Sequence, residues 1–145
     1  YFGSALRSGS GTLTDTVDGG FVVLAQTSTV TTNADGTASS TSVTIPSGSQ
    51  IINIFIDQTQ NETVGGGTAT AINATVGTAA AGTQYVSATD VIGGGRAALT
   101  FTAAQLAAMA DVGANTGVYL TVDPDGTIAT TQGIYRLTVV YAQKG

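Results

Sequence analysis

Side chains able to carry out catalysis are scarce in this sequence. Its 145 residues include no histidine and no cysteine, and only nine acidic and four basic side chains. Most enzyme mechanisms use a histidine, a thiolate, a bound metal or a close pair of carboxylates. Because two of these residue types are missing altogether, we expect a protein that is not an enzyme and needs no cofactor.

The acidic pairs are better explained by turns than by ligand binding. Asp123 and Asp125 lie in a DPDG segment, and residues 33–36 are NADG. Calcium takes six to eight oxygen ligands, usually from several carboxylates, and no third acid lies within ten residues of Asp123 and Asp125. We therefore predict tight turns at both segments and no metal site. Asp90 and Asp111 have no spacing that indicates a glycosidase carboxylate pair.

Two glycine clusters and two arginines need separate interpretations. Residues 65–67 and 93–95 are glycine-rich but lack the GK[ST] ending and the following helix start of a phosphate-binding loop, so we predict plain loops. Arg96 and Arg136 are cations in a sequence otherwise poor in charge. Each could pair with an internal acid, reach the carboxylate or carbonyl of a partner, or be solvated.

Composition favours a single all-β domain. The chain has 26 threonines, 21 alanines and 20 glycines. Threonine is β-branched and favours strands, while abundant glycine indicates many turns or close backbone approaches. A chain of this length forms one domain with a core of its own.

Charge excludes some partners and favours others. The net charge of −5, with scattered cations, argues against nucleic-acid binding, and no apolar stretch is long enough to span a bilayer. Soluble monomers usually protect strand edges with Lys, Glu or Pro, but this chain has one Lys, one Glu and two Pro. Either hydroxyl groups keep a secreted domain wetted, or its edges are covered by copies of itself or by a partner. We favour the second interpretation.

Alternating apolar residues predict an arm and a sandwich. Residues 1–20 are small and polar and predict an extended N-terminal arm, with Tyr1, Phe2 and Leu6 as anchors. A frayed terminus is the alternative for this segment. Residues 21–145 predict an antiparallel β-sandwich, most simply a jelly roll, of about eight strands. The predicted strands are 21–30, a strand ending at Pro46, 50–58, 68–76, 84–88, 97–102, 118–122, a short strand at Ile128, and 134–142. One short helix is predicted near 103–110, capped by Thr102 and ended by Gly113, with Leu106, Met109 and Ala110 toward the core.

The strand at 50–58 has the clearest alternation. It predicts Ile52, Ile54 and Ile56 on the core face, with Ile51 and Phe55 on the opposite face. That second face is half apolar, so we expect a loop or another subunit to cover it. Ile51, Phe55 and Arg96 are therefore candidate partner contacts, together with the three anchors of the arm.

Five segments of the chain resemble small virion proteins of tailed bacteriophages. They are YFGSALRSGSGTLTDTVDGGFVVLAQ, IPSGSQIINIFID, TVGTAAAGTQYV, GRAALTFTAAQLAAM and IYRLTVVYAQ. The resemblance covers nearly the whole chain and carries no catalytic signature. It implies a head decoration (cement) protein, which is a compact β module, typically a homotrimer, bound to the major capsid protein on the outer surface of the head.

Two alternatives remain open at this point. Another virion component, such as a head fibre, a connector accessory or a tail protein, could have the same composition. A carbohydrate-binding β-sandwich module is the second alternative, although the chain has no Trp to form a sugar platform.

Overall fold

Two antiparallel four-stranded sheets and one short helix make up the part of the chain that the computed structural model describes, residues 21–144. The predicted arm, with Tyr1, Phe2 and Leu6, lies outside these residues. The elements are β1 (Phe21–Thr31), β2 (Ser39–Ile45), β3 (Gln50–Gln60), β4 (Ile72–Gly77), β5 (Val86–Asp90), β6 (Gly95–Arg96), α1 (Ala103–Ala110), β7 (Thr116–Pro124) and β8 (Ile134–Lys144). One sheet has the order β1-β8-β3-β6 and the other β2-β7-β4-β5. The predicted all-β sandwich with one short helix is confirmed.

The core lies between the two sheets and is made by the alternate side chains of the central strands. In β7 and β8 every position that alternation predicts to face inward is buried: Val118, Leu120, Val122, Tyr135, Leu137, Val139 and Tyr141. Burial of a large apolar side chain contributes about 1.5–3 kcal/mol. These two strands are each flanked by neighbours on both sides, so they form the centre of the sandwich.

The alternation predicted for β3 is wrong at its start, because the strand contains a β-bulge. Ile51 lies opposite Tyr141 and Asn53 lies opposite Val140, which leaves Ile52 without a partner in the ladder. An extra residue of this kind shifts the inward and outward positions of the strand by one. Ile51 is therefore only 3% exposed and belongs to the core, whereas Ile52 is 49% exposed.

The predicted helix is confirmed, together with its cap. Thr102 Oγ1 accepts from the main-chain N–H of Gln105 at 3.2 Å, and Gln105 Oε1 accepts from the N–H of Thr102 at 2.9 Å. This reciprocal arrangement is a capping box. With eight residues, α1 is far too short to cross a membrane, and no other helix occurs among the described residues.

Residues 97–102 do not form the predicted strand. Only Gly95 and Arg96 pair with β3, and the segment that follows runs on without regular structure into α1. Together with α1 it covers the side of the sandwich between β3 and β5, where Gln105 donates to Thr83 O at 3.2 Å and to Ser87 Oγ at 3.0 Å. Met109 points to the core as predicted. The predictions for Leu106 and Ala110 are wrong, because both are exposed and Gln105 is buried instead.

Three loops replace the strand that was predicted at Ile128 and the beginning of the strand predicted at 68. The N–H of Ile128 donates to Ala34 O at 3.0 Å, and the N–H groups of Thr68 and Ala69 both donate to Thr127 O at 3.0 Å. The loops approach so closely that a Cβ at Gly36, whose φ is +82°, would lie 2.6 Å from the carbonyl oxygen of Gly126. Turn 33–36 therefore forms as predicted. The turn predicted at 123–126 is wrong in its first half, because Asp123 and Pro124 still pair with β4 and the chain bends only at Asp125 and Gly126. The two segments contact each other.

The bulge in β3 gives a test in which two neighbouring isoleucines behave differently. Ile54→Asp places a carboxylate in the core, where Ile54 is 2% exposed, and we expect a loss of more than about 4 kcal/mol, enough to unfold the domain. Ile52→Asp introduces the same group at the bulge and should cost less than about 1 kcal/mol. Urea denaturation followed by circular dichroism measures both. Equal losses for the two variants would contradict the bulge.

Candidate interaction face

The outer face of the β1-β8-β3-β6 sheet brings together most of the side chains with binding potential. We call it the arginine face and define it by residues of β3, β6 and β8: Ile52, Phe55, Asp57, Arg96, Arg136, Thr138 and Val140. These positions alternate with the buried side chains of the same strands, and strand pairing places them side by side.

A row of three charged residues crosses this face. Asp57 of β3 lies directly opposite Arg136 of β8 on one side and Arg96 of β6 on the other. Arg96 donates through Nε to Asp57 Oδ1 at 2.7 Å and through Nη2 to Oδ2 at 3.2 Å, while Arg136 Nη2 lies 3.5 Å from Oδ2. The cross-strand register thus holds one carboxylate between two guanidinium groups.

This arrangement leaves positive charge on the face. Asp57 is 8% exposed, and hydrogen bonding from Arg96 holds its pKa below the ordinary value of 3.8, against the opposing effect of burial. The carboxylate is therefore ionised at neutral pH and neutralises one of the two arginines. The side chains of Arg96 and Arg136 remain 59% and 44% exposed. An excess cation on a chain of net charge −5 is suited to a carboxylate of another molecule.

Arg96 is held in position by an aromatic ring and by a glycine loop. Its guanidinium carbon lies 4.3 Å above the ring centroid of half-buried Phe55, a cation–π geometry. All three residues of the loop before it, Gly93, Gly94 and Gly95, have positive φ, at +99°, +91° and +80°. Such a backbone path favours glycine, and it turns the chain back so that Arg96 meets β3. The glycine cluster is thus a loop, as predicted.

The two outer faces of the sandwich differ in chemistry. Beside its charged row, the arginine face exposes Ile52 and half-buried Val140. On the other sheet, β2 exposes the hydroxyl side chains of Ser40, Ser42 and Thr44, which carry no charge and little apolar surface. An exposed apolar surface beside charged groups is typical of a contact with another macromolecule. The arginine face is thus the better candidate for partner binding.

The candidate contacts predicted from sequence have mixed outcomes. The prediction that Ile51 contacts a partner is wrong, because the bulge places this side chain in the core. Phe55 and Arg96 lie next to each other on the arginine face. Ile52 was missed because perfect alternation placed it inside. The partner of Arg96 could not be chosen from sequence, and the structure identifies it as the internal acid Asp57.

The remaining acids serve the loops in which they lie. Asp125 accepts hydrogen bonds from the N–H groups of Thr70 at 2.6 Å and Ala71 at 3.0 Å, and Asp35 accepts from Thr37 N–H at 3.0 Å. Asp90 Oδ1 accepts from the N–H of Ile72 at 3.1 Å. Among residues 21–144 no group of three or more His, Cys, Asp or Glu side chains could hold a metal ion.

One polar cluster lies inside the sandwich rather than on a face. The hydroxyl of Tyr135 donates to Glu62 Oε2 at 2.9 Å, and Gln58 Nε2 donates to that hydroxyl at 2.9 Å and to Glu62. Tyr135 is fully buried, and burial, together with the Glu62 hydrogen bond, raises its pKa well above the ordinary value of 10.0. Its phenol stays protonated and out of contact with solvent. The cluster satisfies the hydroxyl of Tyr135, while Gln58 Oε1 remains a buried oxygen without a hydrogen-bond partner.

Comparisons with protein-family models, with curated proteins and with solved structures give no match to this chain.

Asp57→Asn tests whether the charged row is held together by the carboxylate. We expect a loss of about 1–2 kcal/mol in the free energy of unfolding at pH 7, because the two guanidinium groups lose their shared counter-charge. The folded pKa of Asp57 lies below its ordinary value of 3.8. Its contribution is therefore fully present above about pH 4 and disappears as pH falls through the folded value.

Urea denaturation at pH 7 and at pH 2.5 measures this difference. The difference in free energy of unfolding between the native protein and Asp57→Asn should be smaller at pH 2.5 than at pH 7. Asp123→Asn, a change at an exposed aspartate of β7, is the matched control. A gap of the same size at both pH values would show that the charge of Asp57 contributes nothing.

Proposed function

We propose that this chain is a decoration (cement) protein of a tailed-phage head, located on the outer surface of the virion. In this role it binds the major capsid protein of the assembled shell, bridges neighbouring subunits and has no enzymatic activity. The observation that carries the proposal is the arginine face, where two arginines share one aspartate beside exposed apolar side chains.

The chemistry of this face suits binding through many weak contacts spread over a large surface. It offers the apolar side chains of Ile52 and Phe55, and the exposed arginines can pair with carboxylates of a capsid subunit. Each contact of this kind is weak, but repetition over a shell adds avidity. A protein that binds only the assembled lattice stabilises it by mass action, in proportion to the logarithm of its free concentration over Kd.

The strand order supports the finer fold assignment, and we infer a jelly roll. The strands pair as β1 with β8, β2 with β7 and β4 with β5, and the short β6 pairs with β3. This is the order of a long hairpin of four strand pairs wound into two sheets. The jelly roll is an architecture of viral capsid domains, although a shared fold does not by itself establish function.

Head-binding measurements with variants of the arginine face test the proposal. Purified heads that lack the chain are incubated with the native protein or with the double variant Arg96→Gln, Arg136→Gln, and bound copies are counted by quantitative gel and cryo-EM. We expect hundreds of copies of the native protein per head. For the double variant we expect at least tenfold weaker binding, which corresponds to about 1.4 kcal/mol.

Ser42→Gln and Thr44→Gln on the other outer face are the matched controls and should bind like the native protein. Thermal melts of every variant separate loss of binding from loss of folding. A dozen or fewer copies per particle would favour a tail, fibre or connector role instead of decoration. Undiminished binding by a folded double variant would exclude the arginine face as the contact surface.

A further inference from the structure

The outer edge of β1 lacks the features by which strand edges are usually protected. Within residues 21–144 no strand pairs with β1 on the side away from β8. The eleven residues of β1 include no charged residue and no proline, and neither do the seven residues of β2 beside it. Edge strands of monomers usually carry Lys, Pro, a bulge or a covering element.

The open edges of β3 and β5 do have such protection, whereas the open edge of β2 has no charged residue and no proline, like that of β1. Before Asp57, the edge of β3 is contacted by residues 97–112, since the N–H of Ala97 donates to Ile56 O at 2.9 Å and α1 contacts the strand. The N–H of Ile54 donates to Asn53 Oδ1 at 2.9 Å. The edge of β5 carries Asp90 and contacts α1 through Gln105. Protection is thus missing at two neighbouring edge strands, β1 and β2, and β1 belongs to the sheet that also carries the arginine face.

Hydrogen bonds at the end of β1 show which main-chain groups of this strand point to its open edge. The N–H of Thr32 donates to Gly133 O at 2.9 Å, on the β8 side, and Thr31 O accepts from Ser39 Oγ at 2.7 Å, on the opposite side. Because β1 pairs with β8 without any register shift, the main-chain N–H and C=O groups of successive residues point alternately to β8 and to the open edge along the whole strand. The N–H and C=O groups of Val23, Ala25, Thr27 and Thr29 therefore point to the open edge.

β2 contacts β1 through side chains, since Gln26 Nε2 donates to Thr44 O at 2.8 Å and Ser28 is hydrogen-bonded to Thr41. The four residues that point to the open edge take no part in these bonds. All four side chains are exposed, and Val23, at 61%, is the most exposed large apolar residue among those described. The other three are small. In a two-fold pair the residues near the axis lie close to the same residues of the second copy, so a charged residue there would meet a like charge. An uncharged edge such as β1 avoids that repulsion.

We propose that β1 is the self-association site of this protein, where it pairs antiparallel with β1 of a second copy. A pair centred near Gln26 would match Ala25 and Thr27 of one copy with Thr27 and Ala25 of the other, and would form about eight main-chain hydrogen bonds. The two four-stranded sheets then join into one sheet of eight strands. This self-association goes beyond capsid binding and does not depend on it.

Proline substitution at neighbouring positions tests the pairing directly. Thr27→Pro removes an N–H that points to the open edge, so the domain should stay folded while the dimer dissociation constant rises at least tenfold. Ser28→Pro is the matched control, because its N–H points to β8 and its loss should unfold the domain. Sedimentation equilibrium of the full chain gives the mass of each species, and circular dichroism reports folding.

Thr27→Lys is the second variant, in case proline distorts the strand. It should weaken the dimer to a similar extent by placing two ammonium groups close together, and Ser42→Lys on the other sheet should leave the dimer intact. Because the chain has no cysteine, an equimolar mixture of the Ala25→Cys and Thr27→Cys proteins reports β1–β1 proximity by forming mixed disulfides under mild oxidation, since these two positions lie opposite each other in the proposed pair. Ser42→Cys should not form a disulfide dimer.

Three results would overturn the proposal. The first is a native protein that is monomeric at millimolar concentration. The second is an oligomer, such as the trimer expected from the resemblance, whose mass Thr27→Pro and Thr27→Lys leave unchanged. The third is absence of the mixed disulfide between the Ala25→Cys and Thr27→Cys proteins, which would be expected if another partner occupied the edge. Head binding measured on the same variants tells a failure of self-association apart from a failure of the proposed function.

Discussion

The bulge at Ile52 in β3 determines which side chains of this strand are exposed. If the strand alternated strictly from the buried Ile51 onward, Phe55 and Asp57 would also point into the core. The extra residue at Ile52 reverses the parity, so that Ile54 and Ile56 point inward while Phe55 and Asp57 point outward. Only then can Asp57 meet an arginine on each neighbouring strand. The core of the sandwich and the charge of the arginine face thus depend on the same backbone irregularity.

Much of the fold could be predicted from the sequence, because alternation is strong where strands are central. The inward sides of β7 and β8 and the helix with its Thr102 cap are as predicted. The predictions failed where the ladder is irregular or absent. No local pattern distinguishes Ile51 from Ile52, and the loops around Ile128 satisfy their hydrogen bonds with each other rather than with a strand.

The candidate site was less predictable because it is built by pairing between distant parts of the chain. Arg96, Asp57 and Arg136 come from three strands, and only the register brings them together. The sequence indicated that the arginines need a partner but could not choose between an internal acid and an external one. The structure combines both possibilities, because one buried acid serves two exposed arginines and leaves a cation free for another molecule.

Placing the open β1 edge and the arginine face on the same sheet has a geometric consequence. If two copies pair through β1, their outer faces become parts of one continuous eight-stranded surface. Each pair would then present two arginine faces at a fixed spacing, and the second contact to a repeating partner would be intramolecular. A weak individual contact would suffice for stable attachment. This explains in physical terms how a chain with so few charged groups could bind firmly without any single strong site.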